Sequence, residues 1–135
     1  MDPVIALVTL AALGFYFVTV MGVGAGRRAS GISAPTMTGH PQLERAVRVQ
    51  MNTLEWLPIF LATLWLFAVL VPAPYGRWGG LVLGLIWIVG RYIYMTAYMA
   101  DPAKRSAGFG IQGLSCVVLF VGAIVGAGLK LAQGG

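Results

Sequence analysis

PVIALVTLAALGFYFVTVMGVGAG, residues 3–26, is the stretch that decides the fold. It carries no Asp, Glu, Lys, Arg or His. A helix that crosses the hydrocarbon core of a bilayer takes about 20 mostly apolar residues, and this run has that length. It is too long for the apolar region of a secretory signal, which covers about 7–15 residues, and Met1-Asp2-Pro3 supplies no basic leader, so it reads as a retained span. Asp2 can cap the helix and Pro3 suits its first turn. Gly22, Gly24 and Gly26 close the span ahead of Arg27-Arg28.

Working outward, three further apolar blocks follow. A polar, turn-rich loop from Arg27 to about Pro41 leads into a second span, about 42–71. Its first turns are polar (Glu44, Arg45, Arg48, Gln50, Asn52), it is strongly apolar from Leu54, and Pro58 predicts a kink. A turn over residues 72–77 precedes a third span, about 78–100. Asp101-Pro102 breaks the chain and is a good helix start, with a fourth span at about 108–131. In that span Gly122 and Gly126 share a face that permits close helix contact. The predicted fold is an all-α membrane protein, a four-transmembrane-helix bundle with residues 1–135 as one domain.

The composition agrees. Hydrophobic residues make up 59% and charged residues 10% of the 135 residues, where a soluble domain carries about 25% charge. Mean hydropathy is +0.84. The net charge of +5 comes from nine basic against four acidic residues. These cations sit between apolar blocks rather than on a polar surface with interleaved aromatics, so nucleic-acid binding is excluded and membrane lipids are the expected surroundings. Cys116 is the sole cysteine, which rules out an intrachain disulfide. It lies in an apolar block and reads as packing. No metal is expected.

Four crossings put both termini on one side. Arg27, Arg28, Arg45, Arg48, Lys104 and Arg105 fall on the side of loops one and three, and only Arg77 and Lys130 on the other. The positive-inside rule therefore predicts that loops one and three are cytoplasmic.

Two polar stripes enter the apolar helices from that side. In RVQMNTLEW, residues 48–56, Arg48, Asn52 and Glu55 follow i, i+4, i+7 and share a helix face, while Gln50 points elsewhere. In RYIYMTAY, residues 91–98, Arg91, Tyr94 and Tyr98 follow i, i+3, i+7. Glu55 lies about 10 Å in from Arg48, and Tyr98 lies equally deep relative to Arg105 on an antiparallel element, so the stripes are predicted to meet. Singly, each residue has a plain reading: snorkelling for Arg48 and Arg105, an aromatic belt for Tyr94 and Tyr98. Shared faces at matched depth favour a site. Arg91, the deepest cation, is assigned to a structural ion pair with Glu55. Several Arg around one carboxylate suit a ligand with carboxylates and one ammonium, and glutathione has that distribution plus a thiol.

At these residues the chain resembles the MAPEG family, the membrane-associated proteins in eicosanoid and glutathione metabolism. The likeness is greatest to the branch of leukotriene-C synthase, the five-lipoxygenase-activating protein and microsomal glutathione transferase. It rests on ERAVRVQMNTLE (44–55) with Pro58, LATLW (61–65), and Gly90-Arg91 with Tyr94, Tyr98, Lys104-Arg105 and Gly108-Phe109. Arg27-Arg28 and PTMTG (35–39) add to it. The resemblance implies a homotrimer with glutathione held between subunits. It implies that Arg48, Asn52, Glu55, Tyr94 and Tyr98 line the glutathione site, with Arg27 and Gln50 from the adjacent subunit. Arg105 would be the catalytic residue facing the thiol, and Arg28 would lie near the second substrate. Trp56 stands where the related enzymes usually carry Tyr; it keeps a donor but cannot accept a hydrogen bond.

The expected activity is that of a membrane-bound glutathione transferase. Arg105 would stabilise the thiolate, and the electrophile or lipid would be hydrophobic and enter from the bilayer, past walls such as Leu61 and Trp65. Conjugation and glutathione-dependent peroxide reduction use the same thiolate and both stay open. The rivals are a non-catalytic lipid-presenting member, against which the retained Arg48, Asn52, Glu55, Tyr94 and Arg105 argue, and a small four-helix multidrug transporter. The transporter would want a carboxylate in the first helix, which is absent.

Overall fold

The computed structural model describes residues 1–134. Four long helices run α1 (Pro3–Ser30), α2 (Pro41–Leu70), α3 (Tyr75–Ala100) and α4 (Ser106–Ala132), with a short 3-10 turn, Pro102–Lys104, before the last. Each helix is long and apolar enough to cross a bilayer, and no strand occurs among the described residues.

The helix ends explain where these elements start and stop. Asp2 Oδ1 accepts from the N–H groups of Val4 (2.8 Å) and Ile5 (3.3 Å), satisfying donors that have no partner inside the helix. α1 outlasts its apolar run. Arg27 and Arg28, expected in a loop, form its last turn, where cations complement the negative end of the helix dipole. Gly31, at φ 71°, turns the chain out with its N–H on the Arg27 carbonyl. His40 Nδ1 caps α2 through the Gln42 N–H at 3.2 Å, and α2 runs through Pro58 uninterrupted. α3 begins at Tyr75 rather than near Trp78, because the Pro72 carbonyl accepts the N–H groups of both Tyr75 and Gly76 and closes a turn there. Asp101 does not start α4 directly. Its carboxylate accepts from the Ala103 N–H and caps the 3-10 turn, so Arg105 sits at the junction just before α4.

The chain runs up, down, up, down, and α2 packs against all three other helices. Ile5, Val8 and Ala12 of α1 meet Leu57, Phe60 and Leu64 of α2, Trp87 of α3, and Cys116 and Leu119 of α4 in one cluster. Phe60 and Trp87 stack within it, centroids 4.1 Å apart and planes 7° from parallel. Cys116 is part of this packing. In lipid there is little hydrophobic drive between helices, so close fit and interhelical hydrogen bonds carry the association. Ser115 Oγ donates to the Leu83 carbonyl at 2.6 Å, and Trp65 Nε1 donates to Thr9 Oγ1 at 3.1 Å. Gly122 and Gly126 face α2, where a Cβ would strike the Phe67 ring and the Leu70 carbonyl.

Between 22 and 33% of each span's most apolar window is buried inside the bundle. The remainder, including Leu10, Phe17, Val82, Val89, Val117 and Phe120, faces outward. Such a surface is untenable in water and is what a bilayer requires. The protein is a multi-pass integral membrane protein.

Candidate functional site

Arg48, Asn52, Glu55 and Trp56 of α2 line one open cavity together with Arg105, Ser106, Phe109 and Gly110 at the start of α4. Its volume is about 490 Å³. Both helices start at the face that carries loops one and three, so the cavity lies toward that end of the bundle. The 48/52/55 spacing does what helical periodicity demands and turns three polar groups to one side. On α4, Ser106, Phe109 and Gly110 follow i, i+3, i+4, which also makes one face.

The partner face differs from the expected one. The cavity forms between the α2 stripe and the beginning of α4, which runs parallel to it, and the α3 stripe reaches α2 only through Arg91. Tyr94 and Tyr98 are not in the cavity wall. Tyr94 is 1% exposed and packs behind Phe109, centroids 6.4 Å apart; Tyr98 stacks on Tyr94 at 5.6 Å. Phe109 also makes an edge contact with Trp56 at 5.6 Å. The reason is the closeness of α3 and α4. Gly108 lies so near α3 that a Cβ would run into the Tyr94 backbone and the Gly90 carbonyl. At that approach the α4 aromatic, not the α3 tyrosines, meets α2.

Arg91 is likewise reassigned. It is wholly buried, but its partners are Asn52 Oδ1 (Nη1, 2.8 Å) and Thr53 Oγ1 (Nη2, 2.7 Å), not the Glu55 carboxylate. Its guanidinium also lies over the Tyr94 ring, 4.4 Å from the centroid. Glu55 instead faces Arg48 at 3.8 Å, with side chains 55% and 45% exposed. At i, i+7 on one helix the two charges need no help from α3 to meet, whereas Arg91 is aimed at the Asn52–Thr53 edge of α2. Arg can only donate, so the Asn52 oxygen must face Arg91, and the Asn52 amide N–H groups are left to face away from it. Asn52 lines the cavity and therefore brings a donor pair to it.

Arg105 is exposed, and among the described residues its guanidinium makes neither a hydrogen bond nor an ion pair. It stands at the N-terminal, positive end of α4. The wall thus combines two guanidiniums, a helix N-terminus, amide donors and one carboxylate: an environment for an anionic ligand that also bears an ammonium.

The remaining assigned residues lie elsewhere in the same chain. Arg27 Nη1 donates to the carbonyls of Thr36 (2.7 Å) and Ile32 (3.4 Å) and pins loop one. Gln50 Nε2 donates to Tyr16 Oη at 3.3 Å, on the α1 side of α2. Arg28 is exposed at the end of α1. Leu61 and Trp65, expected as walls for the electrophile's entry from the bilayer, are partly buried against the core, with Trp65 tied to α1 through Thr9. The sequence reading missed Ser106 and Gly110, whose i, i+4 spacing next to Arg105 was the available signal. It also missed Arg45, whose Nη1 donates to the Met99 and Ala100 carbonyls (2.9 and 3.1 Å) and closes the end of α3.

The family model described as MAPEG family matches residues 5–125. The chain belongs to the MAPEG family. An uncharacterized protein of Synechocystis sp. is 39% identical over 128 residues, 95% of this chain and 90% of that protein. Microsomal glutathione S-transferase 2 of Homo sapiens is 33% identical across 76% of this chain and 67% of its own length. Leukotriene C4 synthase of Cavia porcellus is 37% identical across 78% and 69% respectively. The family match spans residues 48–110, which build the cavity between α2 and α4.

Proposed function

We propose that this protein is a membrane glutathione transferase that joins the glutathione thiolate to a hydrophobic electrophile. The observation that carries the reading is the convergence of Arg48, Asn52, Glu55 and Arg105 on one cavity. The family relationship to a glutathione S-transferase and a leukotriene C4 synthase supports it. In this reading Arg48 and the Asn52 amide hold glutathione carboxylates and Glu55 takes its ammonium. The thiolate is the reactive form, and an ordinary thiol with a pKa of about 8.5 supplies little of it at neutral pH. Arg105, unpaired at the positive end of α4, stabilises the anion by charge and hydrogen bonding. It does not accept the proton, which leaves through the open mouth. The thiolate sulfur then forms a bond to the electrophilic carbon as the bond from that carbon to its leaving group breaks, or as an epoxide C–O bond opens and the resulting alkoxide takes a proton from water; the leaving group departs with the bonding pair.

The cavity is open to one side within a single chain, and Arg27 and Gln50 turn away from it. Both features fit an assembly in which a neighbouring copy completes the wall, and we assign the protein to a homotrimer with the site between subunits and the mouth on the cytoplasmic side. Arg28 then borders the entry of the second substrate, and Tyr94 and Tyr98 support the pocket from behind. Calorimetric titration of the purified protein with glutathione, followed by a chromogenic conjugation assay, tests the reading. Saturable binding with turnover is expected. Absence of glutathione binding would leave the lipid-presenting alternative in its place.

A further inference from the structure

The two cations that the charge pattern leaves on the opposite face, Arg77 and Lys130, also come together. With Asp2, Trp78 and the α2–α3 turn they line a second cavity of about 440 Å³. Asp2 Oδ2 lies 3.5 Å from Arg77 Nε, and the guanidinium rests over the Trp78 ring at 5.1 Å. Lys130 Nζ donates to the Val69 carbonyl at 3.0 Å. These contacts hold the side chains without exhausting them. Among the described residues, the Arg77 terminal nitrogens have no hydrogen-bond acceptor and Lys130 retains two of its three N–H groups. Two cations against one carboxylate leave one positive charge at the wall.

The apolar side of the site is built as well. Trp78 also lines a groove of about 400 Å³ between α1 and α3, with Leu7, Ala11, Leu81 and Leu85. From Trp78 to Leu85 it runs seven residues along α3, about 10 Å toward the middle of the membrane. A cationic cup at the end of the spans, joined through an amphipathic indole to an apolar channel, has the polarity order of a lipid: charged head, boundary, chain.

We propose that this cavity binds the phosphodiester of an anionic membrane phospholipid, with one acyl chain in the α1/α3 groove. Arg77 takes the phosphate oxygens through its free terminal nitrogens and Lys130 approaches from α4. The single negative charge of the phosphodiester neutralises the excess cation. The bound lipid ties the first turns of α1 and α3 to the end of α4, at the end of the bundle remote from the glutathione cavity.

The test is native mass spectrometry of the purified protein in non-ionic detergent, titrated with dioctanoyl phosphatidylglycerol, dioctanoyl phosphatidylcholine or inorganic phosphate. Phosphatidylglycerol is expected to bind in defined stoichiometry, and the R77Q/K130Q double variant to bind it about tenfold or more weakly. The charge-preserving R77K/K130R pair should retain binding. K130Q alone repeats the measurement without disturbing the Asp2–Arg77 contact, and circular dichroism checks that each variant keeps its helices. Equal retention of phosphatidylglycerol by K130Q and R77Q/K130Q would overturn the proposal. So would equal binding of phosphatidylcholine, or full competition by inorganic phosphate, which would mark a small-anion site with no use for the groove.

Discussion

Arg91 is a charge buried among neutral groups. It is held by an amide oxygen, a hydroxyl and the face of a tyrosine. Removing one partner of a buried charge leaves it exposed to the full desolvation cost, so the Asn52–Arg91 pair couples stability to ligand recognition. Asn52→Asp separates the two. A carboxylate still satisfies Arg91, so thermal stability in detergent should be kept or raised. The cavity, however, loses two N–H donors and gains a negative charge, and glutathione affinity measured by calorimetry should fall about tenfold or more. Arg105 makes a different prediction, because among the described residues its side chain has no hydrogen-bond or ion-pair partner. Arg105→Ala should leave melting behaviour unchanged while lowering turnover about a hundredfold and reducing thiolate formation, read from ultraviolet absorbance on glutathione binding. Arg105→Lys should recover part of the loss, since it keeps the charge but not the planar fork. Unchanged thiolate formation in Arg105→Ala would remove this residue from the mechanism.

At the scale of the helices, the site depends on how closely α3 and α4 approach. Gly108 faces the α3 backbone with no room for a methyl group, whereas Gly113 on the same helix has open space around it. Gly108→Ala should therefore push the start of α4 outward and carry Arg105 with it. Misplacement of a reacting geometry by about 1 Å can cost about a hundredfold in rate, so activity should drop to that degree while helical content persists. Gly113→Ala should be close to wild type. Equal activity in the two variants would mean that the Gly90–Gly108 contact does not set the position of Arg105. The same contact holds Phe109 between Trp56 of α2 and Tyr94 of α3.

At the scale of the whole molecule, the outward face is apolar almost throughout, and the exceptions are the two ends. One end gathers Arg48, Arg105 and the ends of loops one and three. The other gathers Asp2, Arg77 and Lys130. If neighbouring copies share the glutathione site, Arg27 and Arg105 act from different chains. Subunits carrying Arg27→Ala and subunits carrying Arg105→Ala, each inactive alone, should then regain measurable conjugation when coexpressed, because some interfaces combine two intact contributions. Absence of any recovery, with mixed assembly verified by two affinity tags, would assign both residues to one chain.

The sequence by itself determined the four spans, because length and continuity of apolar residues are local properties that a bilayer reads directly. It also determined the polar face of α2, because a period of 3.6 residues places Arg48, Asn52 and Glu55 together whatever surrounds them. Helix ends were legible to within a few residues, except where Arg27 and Arg28 prolong α1 and where the 3-10 turn intervenes before α4. What lay across from the α2 face was decided only in three dimensions. Periodicity reports which residues share a side of one helix and is silent about which neighbour that side meets. The resemblance names Arg105, but close packing at Gly108 against the Tyr94 backbone and Gly90 seats the start of α4 on α3, and only the folded chain shows Ser106 and Phe109 beside Arg105 at the cavity and Arg91 on Asn52 rather than Glu55.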